Sequence, residues 1–198
     1  MSNLEFDPNK TALLVMDVQN DQYGMLVAAG QANGFLENVN EVLEAARAAK
    51  MLIIYVVARF RPGHPEASPN NRFNTYNKAQ GRLVEGTEGS EIRDEIKPLA
   101  NEIIVTKRRI NAFFGTDLDS ILRANGIESI VLTGIATRGV ILSSTRYAGD
   151  ADYDILILRD CVGDPDPELH NVLMDKVFPM QAIVSTAPDF INTLIHNR

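Results

Sequence analysis

The feature that most constrains the fold is a series of short runs that are apolar throughout rather than alternating with polar residues. They fall at residues 12–18 (ALLVMDV), 52–57 (LIIYVV), 102–106 (EIIVT), 129–133 (SIVLT), 154–158 (DILIL) and 182–185 (AIVS), with helix-length segments between them. A strand that is apolar on both sides must be covered on both faces, which is the habit of parallel sheets. Such strands separated by helices form βαβ units with right-handed crossovers. The predicted architecture is therefore α/β: a doubly wound, Rossmann-like sheet of six parallel strands with helices on both faces. No linker or repeat interrupts the pattern, so residues 1–198 are read as one domain.

The segments between the runs carry helix signals of unequal strength. Residues 36–50 place Leu36, Val39, Leu43 and Ala46 on one helical face. Residues 116–125 open on a capping-box pair, Thr116 and Asp119, and Gly126 can close the helix. Asp166 before Pro167 is an N-cap followed by a proline at the first helical position. Helices are also predicted over residues 90–99, 138–148 and from Pro188 onward. Residues 60–86 show no period and read as a long loop, of the length that in compact domains is usually functional or disordered.

Charge and composition exclude several classes of function. The net charge of −7 sets a field that repels nucleic acid and anionic lipid, and the one dense basic run is Lys107, Arg108 and Arg109. No apolar run reaches the roughly 18 residues of a membrane span, and the N-terminal MSNLEFDPNK lacks the apolar stretch of a signal peptide. A cytoplasmic protein is expected, with no membrane or nucleic-acid partner. Cys161 is the sole cysteine, so no intrachain disulfide can form.

In an open α/β sheet the site lies beyond the carboxyl ends of the strands. The first strand ends in Asp17, a carboxylate that interrupts an apolar run and must be paired or protonated if buried. The third ends in Lys107, which could neutralise it. The two can be read as a structural ion pair or as an acid/base pair in which Lys107 tunes Asp17. The fourth strand runs through Gly134, Ile135, Ala136 and Thr137 straight into a helix, and the fifth ends at Asp160 and Cys161.

Three blocks, LLVMDVQND at 13–21, TKRRINAFFGTDLDSILRANGI at 106–127 and IVLTGIATRGVILSSTRYA at 130–148, resemble the isochorismatase-like, or cysteine hydrolase, superfamily. The resemblance extends in order from about residue 10 to residue 190. It implies the doubly wound fold, a small-molecule substrate and a homo-oligomer, dimer or tetramer. It also implies a triad of Asp, Lys and Cys, of which Asp17 and Lys107 match the first two. The nucleophile would fall on the sixth residue after Gly134, and that residue is Val140. A valine cannot attack a carbonyl, so the covalent route is closed at this position. The backbone N–H groups of Ala136 and Val140 match the family's oxyanion hole, and the Ile135–Ala136 peptide matches a bond often cis there.

The resemblance implies no cofactor here. Metal-binding members such as the nicotinamidases carry Asp-x-His and a second His after the second strand. The corresponding ARFRPGHPEAS holds only His64, which reads as a solvated loop residue, so no catalytic metal is expected. His170 and His196 read as helix-surface residues, and Cys161 as a small semi-buried thiol. Tyr23, Phe60, Arg61, Phe114, Thr137 and Arg138 are candidates to line the substrate pocket. An arginine among them could hold a carboxylate. The leading reading is a hydrolase without a covalent thiol intermediate, with Asp17 as general acid/base tuned by Lys107. The other reading is an inactive homologue that binds a small ligand or a protein partner in the same pocket. A third, an amidase using Cys161, needs that thiol at the site.

Overall fold

The computed structural model describes residues 6–196, so the first five residues of the N-terminal stretch MSNLEFDPNK lie outside the described residues. Six strands form one sheet: β1 (Thr11–Met16), β2 (Leu52–Ala58), β3 (Ile103–Lys107), β4 (Ser129–Ile135), β5 (Asp154–Gly163) and β6 (Ile183–Ser185). Their order is β3-β2-β1-β4-β5-β6, and all neighbouring pairs are parallel. The chain winds outward from β1 to β3, then returns to lay β4 on the other side of β1. The switch point lies between β1 and β4, where a doubly wound sheet opens its crevice.

Seven α-helices accompany the strands among the described residues: α1 (Asn20–Ala28), α2 (Phe35–Ala48), α3 (Arg72–Ala79), α4 (Leu118–Ala124), α5 (Leu142–Asp150), α6 (Pro167–Val172) and α7 (Ala187–His196). Successive strand side chains point to opposite faces, which splits the apolar interior in two. Leu13, Val15, Ile53, Tyr55 and Val57 pack with Val39, Leu43 and Ala46 of α2 and with Phe190 and Leu194 of α7. Ala12, Leu14, Met16, Ile54 and Val56 pack with Leu118 and Leu122 of α4 and with Ala148 of α5. Both faces of the central strands are thus covered, which is why their sequences show no alternation.

Several local expectations change. Helix α1, not foreseen, follows Asp17 directly, and only Gln22 and Leu26 in it are buried, too few to print an apolar period. The supposed loop at 60–86 contains α3, capped by the Asn71 side chain on Asn74 N–H. The buried residues of α3 are Asn74 and Asn77, so its inward face is polar and a hydrophobic-period reading cannot register it. The helix expected at 90–99 is replaced by two single 3₁₀ turns, Glu88–Ser90 and Asp94–Ile96. The N-cap of α4 is Asp117 and makes no side-chain cap bond, so Thr116 is not the cap expected of it, although its Oγ1 accepts from Leu118 N–H at 3.3 Å. Asp119 closes no box: it accepts from the Tyr153 hydroxyl at 2.9 Å. Asp166 caps α6 as read, accepting from Leu169 N–H at 3.1 Å.

Candidate active site

Asp17 is the first residue past β1. Its φ of 56° puts the backbone in the left-handed region, which Asp tolerates better than most side chains. Its N–H donates to Val56 O at 2.8 Å, so the turn stays fastened to β2. Beside it, Gln19 is fully buried and bridges three main-chain groups: its Nε2 donates to Ala58 O and Ser90 O, and its Oε1 accepts from Ala58 N–H. This clasp holds the ends of β1 and β2 in fixed relation.

Lys107 ends β3, two strands away, in register with Ala58. Its stem reaches across to Asp17, and Nζ lies 2.8 Å from Asp17 Oδ2. Nζ also donates to Arg109 O and Ile110 O, each at 3.0 Å, so all three ammonium donors are used. Both residues are buried, at 3% and 1% exposure. Asp17 Oδ1 is also buried and, among the described residues, completes no hydrogen bond of good geometry, since the nearby Ala58 N–H donates to Gln19 Oε1. Burial raises the Asp17 pKa above the ordinary carboxylate value, and the charge and hydrogen bond of Lys107 pull against that rise.

The strand β4 brings the third wall. Gly134, at φ 126°, passes so close to β1 that an added Cβ would sit 1.9 Å from Met16 O. Only glycine allows this approach. The Ile135–Ala136 peptide is cis, as the resemblance implies. A π-helical turn, Thr137–Ile141, then leads into α5. Asp17, Lys107, Ala136, Arg138 and Val140 all border one cavity of about 360 Å³, with Val140 itself 2% exposed. The cavity has not collapsed around the valine.

The other expected pocket residues lie elsewhere. Tyr23 turns to the opposite side of α1, with its ring 6.3 Å from that of Phe35 and the Arg93 guanidinium 5.0 Å above it. Phe60 is buried with Ala58 and Leu83. Arg61 is exposed and pairs with Glu66. Phe114 is 64% exposed on a shallow groove that shares Ile110, Arg138 and Gly139 with the cavity rim. Thr137 is buried beneath the turn, its Oγ1 2.8 Å from His170 Nδ1 and 3.3 Å from Gly163 O. In their place the cavity takes Gln22 from α1, Phe73 and Tyr76 from α3, Arg82 and Ile110. The closeness of Gln22 to Asp17 in the sequence was the one available hint to that lining.

The histidines and the cysteine are also relocated. His64 is buried against Phe60, with Nε2 2.9 Å from Arg82 O, so it is a satisfied interior group rather than a solvated one. His170 is tied to Thr137 and half-buried, and burial lowers its pKa. Cys161 is fully enclosed in the core on the α2 and α7 side of the sheet, whereas Val140 belongs to the opposite core. Burial, with the Asp160 carboxylate adding to it, pushes the Cys161 thiol far up. Among the described residues, no group of three or more His, Cys, Asp or Glu side chains could hold a metal ion. None of the described helices is long and apolar enough to cross a membrane.

The site is thus a buried Asp–Lys pair at the switch point of a doubly wound sheet, beside a cis peptide that enters a helix. The sequence matches the isochorismatase domain over residues 11–189, and the chain belongs to that family. Among curated relatives, it is 33% identical to the ureidoacrylate amidohydrolase RutB of Agrobacterium fabrum, over 94% of this chain and 91% of that one. It is 32% identical to the corresponding enzyme of Acinetobacter baylyi, over 98% and 88%. Among solved structures, a cysteine hydrolase from Pseudomonas syringae superposes with a TM-score of 0.87 at 22% identity, covering all of both chains. The N-carbamoylsarcosine amidase of Thermoplasma acidophilum gives 0.71 at 27% identity, over 90% and 96%.

Proposed function

We propose that the chain hydrolyses a carbon–nitrogen bond in a small amide or ureide, using Asp17 and water in place of a thiol nucleophile. The observation that carries this reading is Asp17 Oδ1, a buried carboxylate oxygen that completes no hydrogen bond of good geometry among the described residues, the neighbouring Ala58 N–H being engaged by Gln19 Oε1, on a cavity whose described lining includes no cysteine, serine or threonine. An orphan acceptor of this kind is costly unless something occupies it in use. A water or a substrate N–H supplies that partner.

In the proposed reaction, ionised Asp17 takes a proton from water on Oδ1 as the water oxygen bonds to the carbonyl carbon. The oxyanion that forms accepts from the N–H groups of Ala136 and Val140, which a valine side chain leaves in place. The tetrahedral intermediate collapses by breaking the C–N bond, and the proton on Oδ1 passes to the leaving nitrogen. Lys107 orients Oδ2, and its charge and hydrogen bond oppose the rise that burial imposes on the Asp17 pKa. Asp17 thus serves in turn as base and acid. The amidohydrolase names of the curated relatives support the bond class, not the route.

The test is a screen of amides, ureides, esters and vinyl ethers with wild type and Asp17→Asn. Wild type is expected to turn over a C–N substrate, and the variant to lose about 10²–10⁴-fold in kcat. The acid limb of kcat/KM should lie above the ordinary carboxylate pKa of about 4, and activity should fall as pH drops through it. Equal turnover by the two proteins sinks the Asp17 mechanism. No turnover of any class favours the ligand-binding homologue.

A further inference from the structure

The turn after β4 is fastened from below by side chains that the proposed chemistry does not use. Its Arg138 N–H donates to Asp164 Oδ2 at 3.0 Å, while Asp164 Oδ1 accepts from Asp166 N–H at 3.1 Å and lies 3.2 Å from Arg138 Nη2. That carboxylate is buried, and both of its oxygens are engaged. The second fastening is a hydroxyl. Thr137 is fully buried, follows Ala136 directly and opens the π-helical turn. Its Oγ1 lies 2.8 Å from His170 Nδ1 and 3.3 Å from Gly163 O. His170 belongs to α6, so it reaches the turn through a single oxygen atom.

A threonine hydroxyl has one proton to donate. At 2.8 Å the contact with Nδ1 has full hydrogen-bond length, whereas 3.3 Å to Gly163 O exceeds the roughly 3.0 Å that an O–H···O bond allows. The hydroxyl proton therefore goes to Nδ1, and the imidazole is neutral, with its own proton on Nε2. The surroundings agree. Burial, and after it the Arg159 guanidinium on β5, hold the ring below the ordinary histidine pKa, against the pull of Asp164 and of Asp175 beyond α6. Arg159 pairs with Asp175, and Arg138 with Asp164, which blunts each of these charges. A proton added at Nδ1 reverses the contact. The imidazolium must then donate to Oγ1, and the hydroxyl proton turns to Gly163 O. That bond reaches normal length only if the turn moves toward β5 by about 0.3 Å or more.

We infer that His170 is a positioning residue for the turn. Neutral, it accepts the Thr137 hydroxyl and holds the Ala136 and Val140 N–H groups in place; protonated, it turns that hydroxyl away and lets the turn shift toward Gly163. The inference rests on the reading of this turn as the oxyanion site. It adds a residue that does not border the cavity and acts on the bond-breaking step through Thr137, so its effect falls on kcat more than on KM.

The coupling can be read without a substrate, by proton–nitrogen NMR of the full-length protein between about pH 5 and pH 8. The His170 ring signals give its midpoint, expected below the ordinary value of about 6.5. The amide signals of Ala136, Thr137 and Val140 should shift with that same midpoint. His170→Asn keeps an acceptor where Nδ1 stood, since both atoms are bonded to Cγ, but it does not titrate in this range. Its turn signals should match those of neutral wild type and lose the shift. Thr137→Val removes the hydroxyl and should uncouple the turn from a histidine that still titrates. If the turn is indifferent to His170 in wild type, or if the shift persists in folded His170→Asn or Thr137→Val, the inference is overturned. Should Thr137→Val not fold, wild type against His170→Asn decides. On a substrate found in the screen, His170→Leu should lose about 10–100-fold in kcat with KM little changed. His170→Asn should recover most of that loss and lack the step in kcat that wild type shows at the His170 midpoint. An unchanged kcat in His170→Leu overturns the inference as well. A turn that follows His170 in a protein that hydrolyses nothing would sink the hydrolase reading and leave the coupling standing.

Discussion

At the scale of the residue, the buried pair sets the sharpest expectations. Lys107→Met removes the cation paired with the Asp17 carboxylate, which is almost fully enclosed. Breaking such a pair costs about 3–5 kcal/mol, because the remaining charge stays buried and unmatched. The sign of its pH dependence follows from burial. Asp17 has a raised pKa in the folded state, so its neutral form favours folding at low pH and that contribution is lost as pH rises through the folded value. Without Lys107 the rise is larger, so the stability gap between wild type and variant, read by urea unfolding, should be widest near neutrality and shrink on acidification. A gap that is constant with pH would mean Asp17 is not charged in the folded protein. Val140→Cys places a thiol on the cavity at the start of a helical segment and is expected to label with iodoacetamide in the native state. Cys161, enclosed in the other core, should label only on unfolding, and Cys161→Ala should leave hydrolysis unchanged.

At the scale of the element, the turn after β4 and the clasp after β1 decide whether the site forms. Gly134→Ala would drive a methyl into the β1 main chain at Met16 O, and neither strand can yield, since both lie mid-sheet. The expected cost is about 3 kcal/mol or more, with loss of activity even where some folded protein survives. Gln19→Ala frees three buried main-chain groups at once and should cost about 2–4 kcal/mol in chemical denaturation. It should also loosen the 88–92 segment, readable as faster amide exchange there than in β1. Strands, α2 and the capped start of α6 were legible from the sequence because a single local signal, an apolar run or a cap, specifies each. Helices α1 and α3 were not. Their inward groups include Gln22, Asn74 and Asn77, whose partners lie far away in sequence, so nothing local marks them as buried.

At the scale of the whole molecule, the sequence by itself determined the class of fold and the pair at its centre. Six apolar runs with helices between them admit few arrangements other than a covered parallel sheet. A lone Asp and a lone Lys at the ends of such runs are too costly to leave apart once buried. The absence of a thiol at position 140 was equally plain from the residue alone. What only the tertiary structure decided is which side chains meet over that pair. Tyr23, Phe60 and Arg61 sit near Asp17 or a strand end in sequence, yet helix rotation and strand direction turn them away. Arg82, some 60 positions from Asp21 and Gln22, comes to rest on both through hydrogen bonds. Burial and charge pairing depend on distance in space, and a chain that winds outward from β1 and back again brings together residues whose separation along the sequence carries no trace of it.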